Sequence, residues 1–326
     1  LANARTFGGQ DYVGYHAFMA LSPSLDMSRE LPEARQALPV LKVIYRNCTR
    51  MQEKGGSKGE VLHPVTAEAT KEKLSGETLR EVVRQRDVTK AEQQFAKLAE
   101  GTPNEAFNHV QWAVQDEVDV HRIVLAWRAY AMLELTGPEQ AQTLLRQSVR
   151  YCVQSEQYRF DRKSGPSAIR ALLPKLLEQY HLPTMKPADR KADNAWLEKM
   201  SLTIYGSNPA TAAEAVAAAL ADGFSADAIG EAMSLASNLL VLRDPGRAEA
   251  NGPTKGKGSC HGDSVGVHAS DSANAWRNIV RVSNPRNAVA SLILGAYHTA
   301  GQAGRQNKEA YPLAEQLENV TAKDAA

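Results

Sequence analysis

No segment of this sequence alternates apolar and polar residues with the period of two that a half-buried β-strand shows between hairpin turns. Aromatic residues, which favour strands, make up only 6% of the chain, whereas helix-favouring Ala, Leu, Glu, Gln and Arg are plentiful. With 326 residues, 43% of them hydrophobic, the chain can bury a sizeable core. These features predict an all-α fold, a compact array of helical hairpins in a single domain over residues 1–326.

Helix-start and helix-breaking residues divide the chain into segments. The predicted helices cover residues 11–50 with a break near Pro32, 66–100 with an interruption at Gly76, 102–135, 139–155, 166–180, 209–222, 225–242 and 264–302 with a break at Pro285. The helix that begins at Thr102-Pro103 should continue unbroken through Leu135, because Pro is favoured in a first turn. Residues 244–263 form a long loop rich in Gly, Pro and Lys, which we interpret as a plain flexible loop; in the alternative interpretation it is a lid over His261 and His268 that gates access to a site.

An Asp-x-Val-x-x-His signature occurs three times in the sequence. The copies are residues 11–16, 116–121 and 263–268, and each is followed at similar distances by a proline (Pro32, Pro138, Pro285) and a tyrosine (Tyr45, Tyr151, Tyr297). This spacing predicts a three-fold internal repeat of helical hairpins, with units at about 9–50, 105–155 and 260–302. In one interpretation the repeat is structural, with Asp as a helix cap and His bonded in the core. In the other, the histidines converge on one central cavity.

The second interpretation nominates His16, His121, His268 and Asp116 as catalytic residues, and His109 and His261 as cofactor-binding residues. Glu105 and His109 are spaced i,i+4, as are Glu117 and His121, so each pair would lie on adjacent turns of one helix. A carboxylate and an imidazole placed in this way can share a metal ion or form an acid–base pair.

The candidate metal ligands are His109, His121, His261 and His268, and the candidate metals are iron, copper, manganese and zinc. His261 and His268 are seven residues apart, which is about 10 Å along a helix. This is too far for both to bind one metal ion without distortion, but the two histidines could flank a ligand.

The segment His261-Gly262-x5-His268-Ala269 resembles a motif of the questin oxidase-like family. Residues 15–21 are similar to the N-terminal histidine-bearing helix of that family, and the helix with Asn108 and His109 would be the middle copy. The resemblance implies a predominantly helical oxidoreductase, such as a monooxygenase acting on a small cyclic or aromatic organic substrate, with NADPH as reductant. It also implies that His16, His261 and His268 are the relevant residues.

The formal net charge of +1 and the balanced acids and bases favour neither a nucleic-acid partner nor a membrane surface. The apolar stretch at residues 215–221 is too short to span a bilayer. A small-molecule substrate is therefore the expected partner, and the oligomeric state stays open. The start at Leu1 without Met slightly favours an exported protein, periplasmic or secreted, although a trimmed terminus explains it equally well.

Three functions fit these observations. The first is an oxidoreductase with a pocket lined by histidines and carboxylates, using either a metal ion or a diffusible reductant. The second is a non-enzymatic helical-repeat module that binds haem, through a non-covalent His ligand, or another small ligand. The third is a lyase or hydrolase that uses a His/Asp pair.

Overall fold

The computed structural model of the protein describes residues 12–53, 65–67, 69–184, 189–253, 256–259 and 264–306. Their regular structure is helical, apart from one isolated bridge between Arg190 and Phe224. The α-helices are α1 (Tyr12–Met19), α2 (Leu21–Glu30), α3 (Ala37–Glu53), α4 (Gly76–Gln85), α5 (Val88–Leu98), α6 (Pro103–Val114), α7 (Val120–Ala131), α8 (Leu133–Thr136), α9 (Ala141–Asp161), α10 (Ile169–Gln179), α11 (Asn194–Gly206), α12 (Pro209–Ala221), α13 (Ala226–Val241), α14 (Val265–Val282) and α15 (Pro285–Gly301). The prediction of an all-α fold is confirmed.

Many helix starts follow directly from local sequence. The side chain of Thr102 accepts a hydrogen bond from the backbone N–H of Glu105, whose carboxylate bonds back to Thr102, and Pro103 occupies the first turn of α6. Asn208 caps α12 and Ser225 caps α13 in the same manner, each by accepting from a backbone N–H three residues on. These caps satisfy donors that the first turn of a helix otherwise leaves unbonded.

The chain divides into two compact units, of which unit 1 comprises residues 1–178 and 278–291. Helix α9 lies at its centre and packs against α4, α5, α6 and α7. The core between these helices contains Leu79, Phe95, Phe107, Leu125 and Leu145, none of which exposes any surface. Unit 2 comprises residues 179–277 and 292–326, with α11 packed on α12 and α13. The prediction of a single domain stays a prediction.

A ladder of asparagines ties α6 to the start of α15 inside unit 1. The buried Asn287 donates from its side-chain amide to the carbonyl oxygen (2.9 Å) and the side-chain oxygen (3.0 Å) of Asn108. The same side-chain oxygen of Asn108 accepts from the backbone N–H of Asn284 at 2.8 Å, and Asn284 in turn caps α15 by accepting from the N–H of Asn287 at 2.9 Å. Two segments about 176 residues apart in sequence are thereby joined.

Two of the predicted helices are wrong in extent. The helix predicted from Thr66 begins only at Gly76, because Ser75 and Thr78 form a capping box at that point. The helix predicted from Thr102 to Leu135 is interrupted after Val114, and α7 begins at Val120. No glycine or proline occurs between those two residues, so the local signal for a new helix there is the capping residue Asp119.

The three-fold repeat is not confirmed. His16 is the fifth residue of α1, His121 the second of α7 and His268 the fourth of α14, so the three histidines differ in register. Asp116 does not open α7, since Asp119 is the capping residue there. The tyrosines also differ, because Tyr45 is 74% exposed whereas Tyr151 lies beside buried residues of unit 1. Asp11 and Asp263 lie outside the described residues.

In unit 2, Asp244 fastens the start of α14 to the loop that precedes it. One carboxylate oxygen accepts from the backbone N–H of Gly266 at 2.8 Å, and the other accepts from Gly246 at 2.8 Å. Within the part of the chain that the structure describes, no helix combines the length and the apolar character needed to cross a bilayer.

Candidate functional site

Unit 1 contains an open cleft with a volume of about 620 Å³. The cleft is bounded by the turn that leads into α7 and by the C-terminal half of α9, and it continues into the segment after α9. Its lining residues are Glu117, Val118, Asp119, His121, Tyr151, Gln154, Ser155, Tyr158, Arg159, Arg162 and Ser164. This set combines one imidazole, two carboxylates, two guanidinium groups and two phenols, so it resembles a binding site for a small polar molecule.

The start of α7 positions three of these side chains together. The Asp119 carboxylate caps the helix by accepting from the backbone N–H groups of His121 (3.4 Å) and Arg122 (3.2 Å). The hydroxyl of Tyr151, reaching across from α9, donates to the same carboxylate at 2.8 Å. Nδ1 of His121 lies 3.4 Å from the other Asp119 oxygen. Asp119 thus links the cap of α7 to both aromatic side chains.

Helix α1 adds aromatic contacts behind this group. The ring of His16 meets the ring of His121 edge to face, with centroids 4.8 Å apart. The ring of the buried Tyr15 meets Tyr151 in the same way, at 5.2 Å. His16 itself is exposed, so the His16–His121 contact extends from solvent to the cleft wall. The structure therefore brings together two of the predicted catalytic histidines.

Asp116, another predicted catalytic residue, is buried and is not among the residues that line the cleft. Its carboxylate receives two hydrogen bonds from the guanidinium group of Arg84, at 2.5 and 2.7 Å. Arg170 donates to its backbone carbonyl at 3.1 Å. We interpret Asp116 as the anchor of the turn at residues 115–119, which carries Asp119 into the cleft. Its predicted catalytic role stays a prediction.

A second buried ion-pair cluster lies directly behind the cleft. Arg122 donates to the carboxylate of Glu156 at 3.1 Å and to the carbonyl oxygen of Ala113 at 2.6 Å, and Arg170 donates to the same Glu156 oxygen at 2.5 Å. Burial alone would raise the pKa of Glu156, but the two guanidinium groups outweigh it and hold that pKa below its ordinary value. Because Arg122 follows His121 and Glu156 follows Ser155, this cluster fixes both walls of the cleft.

Cys152 is buried beside Arg122 and is not among the residues that line the cleft. Burial raises the pKa of its thiol to about 11, although the nearby guanidinium group acts in the opposite direction. The thiol is therefore protonated at neutral pH, and it behaves as a small apolar side chain.

The outer end of the cleft is rich in arginine. Arg159 forms an ion pair with Glu117 at 2.7 Å and also donates to the carbonyl oxygen of Gly165. Arg162, one turn further along, lies over the ring of Tyr158 with its guanidinium carbon 4.3 Å from the ring centroid. The two arginines thus have different surroundings, and among the described residues Arg159 has a carboxylate partner whereas Arg162 does not.

Of the two predicted carboxylate–imidazole pairs, Glu105 and His109 lie together on α6, whereas Glu117 and His121 are not on one helix. Glu105 is occupied by the capping box, in which its carboxylate accepts from the N–H (2.9 Å) and the hydroxyl (2.8 Å) of Thr102. Burial lowers the pKa of His109, and the charge of Glu105 opposes this only in part. Glu117 and His121 do not share a helix, since α7 begins at Val120, and Glu117 instead pairs with Arg159.

The other predicted site residues lie elsewhere. His268 is half-buried in the first turn of α14 and belongs to unit 2, and His261 lies outside the described residues. Among the described residues, no three His, Cys, Asp or Glu side chains are close enough together to hold a metal ion. The ligand set predicted from sequence includes His261, so it is not tested by this finding.

Several residues of the cleft were missed from sequence. The segment Asp119-Val120-His121-Arg122 has the pattern of a capped helix start, and this signal was hidden by the expectation of one long helix. Tyr158 and Arg162 carry no comparable signal, because their position depends on how α9 packs.

Comparison of the chain with profiles of known protein families, with curated proteins and with solved structures finds no match. Function is therefore inferred from the geometry of the cleft.

Proposed function

We propose that the protein is an enzyme that transfers a proton to or from a small organic molecule held in the cleft of unit 1. His121 is the general acid or base, and Asp119 and Tyr151 orient it. The observation that carries this proposal is the meeting of all three side chains in the wall of a cleft of about 620 Å³. Among the functions predicted from sequence, a lyase or hydrolase with a His/Asp pair fits this arrangement most directly.

The physical argument concerns the two nitrogens of the imidazole. When Nδ1 of His121 faces the Asp119 carboxylate at 3.4 Å, a proton on Nδ1 is favoured, and the other ring nitrogen is the one that reacts. A carboxylate held by the α7 cap and by the Tyr151 hydroxyl is fixed in place, so it also fixes the ring. A positioned imidazole typically contributes a factor of about 10²–10⁴ to a rate.

Deuterium exchange can test this proposal before the substrate is identified. Mixtures of small organic acids, ketones and alcohols are incubated with the protein in D₂O, and NMR follows both binding and isotope incorporation. We expect at least one compound that binds the cleft to exchange a proton or be converted. His121→Gln should slow this by about 10²-fold or more, whereas His181→Asn, in the other unit, should leave it unchanged. Binding in the cleft without any conversion by the wild-type protein would refute the proposal.

An oxidoreductase is the second candidate, and one observation supports it. His16, which the resemblance to the questin oxidase-like family singles out, contacts His121 at the cleft. A monooxygenation, in which O₂ is the oxidant and NADPH supplies the two electrons that reduce its second oxygen atom to water, would need a proton donor or acceptor of the same kind. Loss of NADPH fluorescence in the presence of a cleft ligand, abolished in His121→Gln, would favour this reaction over a lyase or hydrolase.

A further inference from the structure

We infer that the ligand of the cleft is an organic carboxylate, and that Arg162 binds its negatively charged group. This inference deepens the proposed function, because it takes the same cleft as the binding site, and it rests on that function for the position of the reacting atoms. Three features of the described residues support it: the balance of charges, the placement of the guanidinium group, and the distance to His121.

The charges of the cleft are matched except at one residue. Glu117 and Arg159 neutralise each other at 2.7 Å. Asp119 is stabilised by the positive end of α7 and by the Tyr151 hydroxyl. In the described part of the chain, no carboxylate lies within ion-pair distance of Arg162, whose contact is with the Tyr158 ring. Arg162 is exposed, so water solvates its charge in the absence of a ligand, and a carboxylate can form an ion pair with it that a neutral ligand cannot.

The Tyr158 ring holds the guanidinium group ready for such a ligand. The guanidinium carbon lies 4.3 Å from the ring centroid, a distance at which the face of the ring attracts the cation. A planar guanidinium group offers pairs of N–H donors that match the two oxygens of a carboxylate. Ser164, which also lines the cleft, carries a hydroxyl that can donate a hydrogen bond to a ligand.

The spacing along α9 sets the length of the ligand. Tyr151 and Tyr158 are seven residues apart on the helix, which corresponds to about 10 Å. Arg162 lies over Tyr158, and the ring of His121 lies 6.4 Å from that of Tyr151, so a molecule whose carboxylate meets Arg162 would extend about two helical turns to approach His121. Gln154 and Ser155 line the intervening stretch, so the body of the ligand can carry polar groups.

The test compares an acid with its neutral analogue. The full-length protein, labelled with ¹⁵N, is titrated with 3-phenylpropionate and with 3-phenylpropanamide, and the backbone amide shifts are followed. We expect saturable shifts for residues 118–121, 155 and 162–164 with the acid and much weaker binding of the amide. Arg162→Gln should weaken the binding of the acid about tenfold or more, since a hydrogen bond to a charged group is lost.

The chain offers a matched control. Arg86 lies over the ring of Phe160 with its guanidinium carbon 4.1 Å from the centroid, in the same kind of contact but away from the cleft lining. Arg86→Gln should bind the acid as the wild-type protein does. Equal binding by Arg162→Gln, equal binding of acid and amide, or the absence of saturable shifts would each overturn the inference.

His121→Gln separates this inference from the proposed function. If His121→Gln binds 3-phenylpropionate normally and Arg162→Gln does not, the carboxylate site is supported whether or not a reaction is ever found. Conversely, a reaction that depends on His121 but proceeds equally in Arg162→Gln would support the proposed function and contradict the carboxylate site.

Discussion

Replacing Arg122 with Met should destabilise unit 1 by about 3–5 kcal/mol, the usual cost of breaking a buried ion pair on one side. The Arg122 side chain is 0% exposed and its partner Glu156 is 7% exposed, so solvent offers almost no compensation. Two hydrogen bonds are lost, one to Glu156 at 3.1 Å and one to the carbonyl oxygen of Ala113 at 2.6 Å. Met preserves most of the apolar volume, so the expected cost comes from the polar contacts.

Four tryptophans allow the two units to be followed separately during unfolding. Trp112 and Trp127 belong to unit 1, and Trp196 and Trp276 belong to unit 2. With 5-fluorotryptophan incorporated, ¹⁹F NMR in urea gives a transition for each residue, and the free energy of unfolding is taken from Trp112 and Trp127. Arg29→Met is the control, since the Arg29–Asp26 pair is 66% and 60% exposed and should contribute less than about 1 kcal/mol.

A double-mutant cycle with Glu156→Gln tests the assigned partner. The two substitutions should cost less together than the sum of their separate costs, because the first already breaks the shared interaction. Glu156 keeps its bond to Arg170 at 2.5 Å in Arg122→Met, so some stability should remain. An effect of Arg122→Met no greater than that of Arg29→Met would refute the reasoning about the buried cluster.

Three further outcomes are expected. The folded-state pKa of Glu156 lies below its ordinary value of 4.5, so the ion pairs of Glu156 stabilise unit 1 fully above about pH 4.5 and this stability should be lost as the pH falls below that value. Urea unfolding at a series of acid pH values measures this loss, and the pH dependence should be weaker in Glu156→Gln. Gly76→Ala should cost about 1–3 kcal/mol because a Cβ there overlaps the Trp112 ring, whereas Gly206→Ala, with open space around it, should change stability by less than about 1 kcal/mol. Iodoacetamide should label the exposed Cys48 rapidly and the buried Cys152 more than about 100-fold more slowly. Peptide mass spectrometry measures both rates, and equal rates would contradict the burial of Cys152.

The helix starts that can be located well from sequence are those with local causes. Thr102-Pro103, Asn208-Pro209 and Ser225 each carry their own cap, so residues within one turn decide where the helix begins. The start of α7 also has a local cap, Asp119, but the turn that separates it from α6 is held by distant contacts. Arg84 and Arg170 hold Asp116 in its turn from 32 and 54 residues away, and no local pattern records such contacts.

The same distinction applies to the site. The recurrence of the Asp-x-Val-x-x-His signature pointed to His16 and His121, and those two rings are in contact. The three-fold repeat that led us to choose these two histidines is not confirmed. The signature therefore located the two residues, but it does not explain why they are in contact. Asp119 and Tyr151 meet, and Arg162 lines the same cleft, because α7 packs against α9, and that packing depends on side chains throughout unit 1.

The asparagine ladder has a consequence for the order in which the chain is made. Asn108 depends on Asn284 and Asn287, so helix α6 cannot complete its hydrogen bonds until about 176 further residues have left the ribosome. Domains generally fold as units during synthesis, from the N-terminal side first. Here unit 1 must wait for residues 284–287, and a nascent chain stopped before residue 284 would leave Asn108 without these two hydrogen-bond partners.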